Sequence, residues 1–409
     1  MVQIGRRGFL LGAVGALSAL SVAGDAAAVG RRAPKNELRG MWLATVANRD
    51  WPSAPGLTAA EQKAELLAHL DTAVRRRLNA VVLQVRPTAD ALWPSPYEPW
   101  SACLTGVQGK DPGWDPLGTA VREAHERGLE LHAWFNPYRV ANHTDPSRLV
   151  ASHPARVHPD WVLPYGGKLY YNPGLPEVRK FVQDAMLDAV RRYDIDAVHW
   201  DDYFYPYPVA GQTFADGDAY ARHGGAFPDR AAWRRDNTDR LVSETAARIK
   251  EIKPKVRFGI SPFGVWRNAT TDPLGSPTRA GVQTYDDLHA DTRKWVKEGW
   301  IDYIAPQLYW NIGFTAADYA KLLPWWADVV RGTGVELYAG EALYKAGDPA
   351  QGAPWQDPAE LSRHLTLAKK SPEVRGHIFF SAKEVAADRI GAMAKVVTDH
   401  YPTPVRPRG

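Results

Sequence analysis

Apolar residues along this chain fall into short runs that alternate with longer amphipathic stretches. A short apolar run bounded by turn signals suits a buried parallel strand with both faces covered. Such runs occur at 38–45, 80–85, 129–135, 197–200, 256–261, 303–308, 335–339 and 376–380. Between and after them, apolar positions recur at helical spacing over 59–77, 116–127, 176–192, 230–253, 287–298, 317–331, 358–370 and 385–400. Thr58 before Ala59-Ala60-Glu61 predicts a capping box, and Pro116 and Pro176 stand at first helical positions. Gly128, Gly299 and Gly332 follow the ends of three of the helices.

Strand-then-helix units repeated in this order predict an α/β chain folded as a (β/α)8 TIM barrel; a doubly wound sheet is the alternative for the same elements. The αβ connections, such as 77–79 and 253–255, are short, whereas the βα connections after the second to fifth strands are long and rich in Pro, Trp, Tyr and His. In a barrel all βα loops share one face, so one face is elaborated and the other trimmed. No repeat and no Gly/Ser linker interrupts 37–401, which reads as one catalytic domain followed by a tail over 402–409.

The run 194–206 is the focus of the pattern, because it opens as a buried strand and closes on acids, aromatics and prolines. Side chains alternate along a strand, so Asp201 shares a face with His199, and Asp202 with Trp200. One of the two acids is expected to look into the barrel mouth and the other to brace the wall or a loop. Asp196, early in the strand, is expected to be a structural acid below the mouth.

Composition adds two points. Of 409 residues, 45% are hydrophobic and 23% charged, as in a globular protein, and the net charge of +4 is scattered rather than gathered, which argues against nucleic acid as a partner. The 16 Trp and 17 Tyr exceed what a core needs and suit an open cleft that stacks flat sugar rings.

The N-terminus reads as an export signal over 1–28 followed by a polar leader over 29–36. Arg6-Arg7 is a twin-arginine pattern, an apolar stretch runs from Phe9 to about Ala23, and Ala26-Ala27-Ala28 offers a cleavage site. An uncleaved anchor is the alternative, but the stretch is short for a span. The expected location is secreted or cell-wall associated, with no membrane partner after signal removal. Cys103 is the one cysteine, so no internal disulfide forms. Oligomeric state is left open.

The residues at the strand ends form one constellation. They are Arg39 and Trp42 from the first strand, Arg86 from the second, Trp134 and Asn136 from the third, and His199, Asp201, Asp202 and Tyr203 from the fourth. Gln307, Tyr309 and Trp310 follow the sixth, and Glu341 the seventh. Two carboxyls flanking a cleft are what glycoside hydrolysis needs, one to protonate the leaving oxygen and one to attack the anomeric carbon or activate water. Arg39, Arg86, Asn136 and Gln307 are candidates to grip hydroxyl and acyl groups; Trp42, Trp134, Tyr203, Tyr309 and Trp310 are candidates to stack on rings, with His199 beside them. Glu341 is alternatively a partner for Arg39 or Arg86. His125 and His132 lack metal-ligand spacing, and no GxGxxG, P-loop or GxSxG motif occurs, so no metal and no cofactor is expected.

Three motifs in order resemble the bacterial glycosyl hydrolase-like 10 family: 38–43 (Leu-Arg-Gly-Met-Trp-Leu), 199–206 (His-Trp-Asp-Asp-Tyr-Phe-Tyr-Pro) and 303–310 (Tyr-Ile-Ala-Pro-Gln-Leu-Tyr-Trp). The resemblance extends from about Glu37 to about Met393. It implies an exported TIM-barrel glycosidase acting on a β-1,4 amino-sugar polymer, since characterised members include a hydrolase of peptidoglycan strands stripped of their peptide stems. The run 196–201 is also similar to the fourth-strand motif of α-amylase-type enzymes, whose last Asp is the nucleophile, which favours Asp201. Ser261-Pro262-Phe263 stands where that group has its fifth-strand acid, so the second carboxyl is expected from Glu341. The expectation is therefore a two-carboxylate hydrolase of cell-wall glycan. A barrel that binds glycan without cutting it, and a hydrolase of another extracellular polysaccharide, are the alternatives.

Overall fold

The computed structural model describes residues 37–405. The expected signal segment 1–28, the leader 29–36 and residues 406–409 of the expected tail lie outside the described residues. Eleven strands are present among those described: β1 Leu38–Leu43, β2 Ala80–Arg86, β3 Glu130–Phe135, β4 Arg139–Ala141, β5 Val162–Tyr165, β6 Lys168–Tyr171, β7 Ala197–Trp200, β8 Arg257–Ile260, β9 Tyr303–Ile304, β10 Glu336–Glu341 and β11 Val374–Phe380. Eight close into a parallel barrel in the order β1-β11-β10-β9-β8-β7-β3-β2. Helices on its outside make this a (β/α)8 TIM barrel, with each strand where the apolar runs predict one.

Local chemistry explains the element ends. Thr58 and Glu61 form the capping box of helix Ala59–Arg75. The Asp115 side chain caps helix Pro116–Glu126, whose proline occupies the first turn. The sixth barrel strand pairs regularly only over Tyr303–Ile304, shorter than expected, because Pro306 has no N–H to give the ladder. Two isolated bridges resume the pairing at Gln307, one against Phe263 and one against Gly340. The helix expected over 385–400 is two, Ala382–Ala387 and Ala392–His400, broken where Asp388 and Gly391 adopt positive φ.

Strand alternation sorts the side chains into two layers. Leu38 and Trp42 of β1, Val82 of β2, Trp134 of β3, Tyr303 of β9 and Tyr338 of β10 fill the barrel. Met41, Leu43, Leu337 and Ala339 face the helices. Inside the barrel, Gly259 leaves room for the Tyr303 ring, since a Cβ there would lie 2.0 Å from it.

One feature escapes the periodic pattern. In the long connection after β3, strands β4, β6 and β5 form an antiparallel sheet beside the mouth. The hairpin β5–β6 turns on Gly166 and Gly167, both with positive φ, which a two-residue turn of the favoured twist requires. No helix among the described residues is long and apolar enough to cross a membrane.

Candidate active site

A cleft of about 330 Å3 opens where the barrel strands end, between Trp42, Trp134, Tyr203, Tyr309, Tyr344 and Phe380. Asp201, Asp202, Gln307, Gln84, Ser261 and Arg139 supply its polar lining. A larger hollow of about 490 Å3 lies at the opposite end, where β10 and β11 begin, and its charges include the surface pair Arg331–Glu373. The chemistry therefore belongs to the smaller cleft.

Both adjacent acids line it. Parity holds through Trp200, which packs outward against Phe258, but the chain leaves the strand there and turns Asp202 into the cleft beside Asp201. The expectation that one of them braces a wall is corrected by this turn. Asp201 accepts from Trp134 Nε1 (3.1 Å), from Asn136 Nδ2 (3.1 Å to each oxygen) and from the Tyr203 backbone N–H (3.3 Å). Asp202 accepts from Gln307 Nε2 (3.1 Å) and from the Tyr207 hydroxyl. Burial raises the pKa of both carboxyls above the usual range, and Asp202 raises Asp201 further. Burial and the charge of Asp202 in turn keep the Tyr207 hydroxyl protonated.

Of the residues named from sequence, Trp42, Trp134, Tyr203, Gln307 and Tyr309 also line the cleft, and Asn136 holds Asp201 from behind. The others stand elsewhere. Arg39 faces out of the barrel, with its guanidinium on Glu37, the Thr403 carbonyl and the Tyr401 ring. Arg86 is fully buried in a fork on Glu98 (2.6 and 2.5 Å) and also donates to the carbonyls of Asn136 and Pro137. Both are structural ion pairs rather than grips on substrate. Trp310 packs edge-on against Phe263 and does not line the cleft.

Glu341 is corrected too. Residues 337, 339 and 341 of β10 share the helix-facing side, so Glu341 lies behind the barrel wall. It accepts from Tyr319 Oη (2.8 Å), His364 Nδ1 (2.8 Å) and His377 Nδ1 (2.9 Å). Burial alone would raise its pKa, but the two histidines hold it down to about 2. Asp196 is a structural acid as expected, accepting from the Leu131 N–H (2.7 Å) and pairing with His125.

His199 lies under the cleft floor. The Trp42 indole N–H can only donate, so His199 Nε2 accepts from it (3.1 Å), and Nδ1 carries the proton toward Tyr303 Oη (2.9 Å). Burial lowers its pKa well below the usual value, so the ring is neutral. From Tyr303 the bonds run on to His132 (2.9 Å) and Glu130 (3.0 Å), locking the barrel interior beneath the acids. Among the described residues no group of three or more His, Cys, Asp or Glu is placed to hold a metal ion.

The sequence sets Gln84, Arg139 and Ser261 at strand ends without pointing to a role for them, and gives no sign that Tyr207, Tyr344 and Phe380 reach the cleft. Gln84 and Ser261 were within reach: Gln84 shares the inward face of β2 with Val82, and Ser261 follows β8 as Asp201 follows β7.

The comparisons with known proteins agree with this geometry. The family described as Glycosyl hydrolase-like 10 matches residues 37–357. Glycosyl hydrolase YngK of Bacillus subtilis (strain 168) is 53% identical over 373 residues, 90% of this chain and 72% of that protein. Glycosyl hydrolase DigH of Escherichia coli (strain K12) is 44% identical over 363 residues, 84% of this chain and 82% of that protein. The glycoside hydrolase domain of PgaB (BpsB) from Bordetella bronchiseptica is similar with a TM-score of 0.54 over 88% of this chain and 98% of that one, at 13% identity, a likeness of fold alone. The chain therefore belongs to the glycosyl hydrolase-like 10 family and is a glycoside hydrolase.

Proposed function

We propose that this protein is an exported hydrolase of peptide-free peptidoglycan strands, and that Asp201 and Asp202 are its acid–base pair. The carrying observation is the pair itself: two adjacent buried carboxyls in an aromatic cleft, met by different donors. N–H groups can only donate, and those of Trp134, Asn136 and Tyr203 fill both oxygens of Asp201, which favours the carboxylate there. Burial and an ionised Asp202 push Asp201 up to about 6, which taken alone would put the shared proton on Asp201. We place it on Asp202 because the Tyr207 hydroxyl can turn from donor to acceptor, whereas the N–H groups on Asp201 cannot. Two like charges this close resist ionising together. The cell-wall substrate rests on the motif resemblance, and export on the twin-arginine pattern at Arg6-Arg7.

An adjacent pair suits a substrate-assisted route on an N-acetyl sugar. The acetamido oxygen attacks its own anomeric carbon as the glycosidic C–O bond breaks. Asp202 gives its proton to the leaving oxygen, while the Asp201 carboxylate accepts the acetamido N–H. Water then opens the oxazolinium ring, returning one proton to Asp202, restoring the acetamide and leaving a hemiacetal of retained configuration. Trp and Tyr faces around the cleft hold the rings during both steps.

The assay is release of reducing ends from purified peptide-free strands. Wild type is expected to cut them; release from none at any pH sinks the proposal, and release only from another amino-sugar polymer replaces the substrate. The pH profile is a second check. Raised carboxyl pKa values mean that the proton on Asp202 persists above the usual carboxylate range and is lost as pH rises further, which sets the alkaline limb. The Tyr207 hydrogen bond lowers that pKa, so Tyr207→Phe is expected to move the alkaline limb to higher pH. A limb that stays put, or moves down, counts against Asp202 as the acid.

A further inference from the structure

Arg139 is a cation in the cleft whose charge favours the ionised forms of Asp201 and Asp202 but which touches neither in a direct ion pair. It lines the cleft beside Asp201 and Asp202 and is only 6% exposed. Its Nε–H has no hydrogen-bond partner, and it forms no ion pair among the described residues. The two acids do not fill its fork, since their oxygens are taken by Trp134, Asn136, Gln307 and Tyr207. The guanidinium is nevertheless held in place. It lies over the Tyr203 ring, 4.1 Å from the centroid, and the backbone N–H of Arg139 donates to Asn136 Oδ1 (2.9 Å). Pairing of β4 with β6 sets Arg139 opposite Tyr170. A stacked, preordered guanidinium whose side chain also meets the Tyr170 hydroxyl, and whose Nε–H is unpartnered, matches a carboxylate by its fork geometry. A buried guanidinium with no carboxylate in its fork is incompletely compensated, which makes an anionic group on the ligand a natural complement.

We propose that Arg139 binds the free lactyl carboxylate of a muramic acid residue, so that the cleft reads removal of the stem peptide as a negative charge. The inference rests on the peptidoglycan reading above. In a strand that keeps its stems, that carboxylate is an amide: the charge is gone and a peptide occupies its place. In a stripped strand the carboxylate is free. Arg139 thereby becomes a specificity-determining residue, separate from the acid–base pair.

The test compares stripped strands with the same strands whose lactyl carboxylates have been coupled to methylamine with a carbodiimide, giving methylamides. This neutralises the proposed contact without altering the protein. Wild-type kcat/KM is expected to fall roughly ten- to a hundredfold on amidation, as for loss of a charge-assisted hydrogen bond. In Arg139→Gln the ratio between the two strands is expected to collapse toward one. Equal cleavage of both strands by wild type overturns the proposal while leaving the substrate reading intact. An Arg139→Gln enzyme that keeps the wild-type ratio, with both rates lowered together, overturns it too and makes Arg139 a counter-charge to the acids. Cleavage of neither strand by wild type removes the substrate reading and this inference with it.

Discussion

Asp202→Asn is expected to reduce kcat on stripped glycan strands by about 10²–10⁴-fold, the range associated with general acid–base assistance. Strand binding is expected to persist, because the substitution keeps the shape of the side chain and leaves the aromatic walls alone. The Asn oxygen can still accept from Gln307, and its NH2 can donate to the Tyr207 hydroxyl. The same variant should be more stable at neutral pH. Folding raises the Asp202 pKa, so the stability linked to its protonation is full below the unfolded pKa of about 4 and is lost as pH rises through the folded one. Above that value the wild-type fold carries an ionised pair in a buried site, which the neutral Asn relieves. The melting temperature of Asp202→Asn should therefore match wild type near pH 3 and exceed it at pH 7, both at roughly constant ionic strength. Retention of more than about a tenth of wild-type kcat would remove Asp202 as the acid. De-N-acetylated strands separate the routes further: they should resist wild type if the acetamido group is the nucleophile, and should be cut if Asp201 is.

The legible and illegible parts of this site differ in physical origin. The barrel strands announce themselves because a strand covered on both faces must be apolar throughout, and their order follows from the chain. Parity then carries Trp42, Trp134 and Asp201 to the inner face. Parity gives the side a residue faces but not its height, so His199, correctly inward, lies beneath the floor rather than in the cleft. Parity also places Arg39 with Met41, and Glu341 with Ala339, on the helix side, against the roles that strand-end position alone suggests for them. Past the last strand residue it lapses, which is why Asp202 shares the cleft with Asp201. Arg139 illustrates the remainder. It stands just past Asn136 at the end of the third barrel strand, but nothing near it in sequence says which way its side chain turns, because that depends on β4 meeting β6 after a long connection. Side chains brought in by non-local pairing of short strands leave no periodic trace.

Glu341→Gln is expected to cost stability rather than chemistry, on the order of 3–5 kcal/mol, the range for removing one partner of a buried ion pair. Glu341 is fully buried, and three donors converge on it: Tyr319, His364 and His377. Burial works against a charged His364 ring, but Glu341 and Glu360 raise its pKa, so the histidine and the carboxylate sustain each other's charge. Gln keeps one acceptor and loses the charge, leaving His364 either buried and less well compensated or neutral with a weaker bond. The sign fixes where the loss is greatest. Glu341 is held down to about 2 from an ordinary 4.5, so its contribution is full above pH 4.5 and fades as pH falls toward 2. His364 is raised from an ordinary 6.5, so its contribution is full below pH 6.5 and fades as pH rises through the folded value. The difference in melting temperature between wild type and Glu341→Gln should therefore peak between pH 4.5 and 6.5. A drop on the order of 5–10 °C is expected there for a chain of this size. At a temperature where the variant is fully folded, its kcat/KM on stripped strands should equal wild type, because Glu341 lies behind the wall and not in the cleft. A variant that melts like wild type but no longer cuts would return Glu341 to the catalytic machinery and displace the adjacent-pair mechanism.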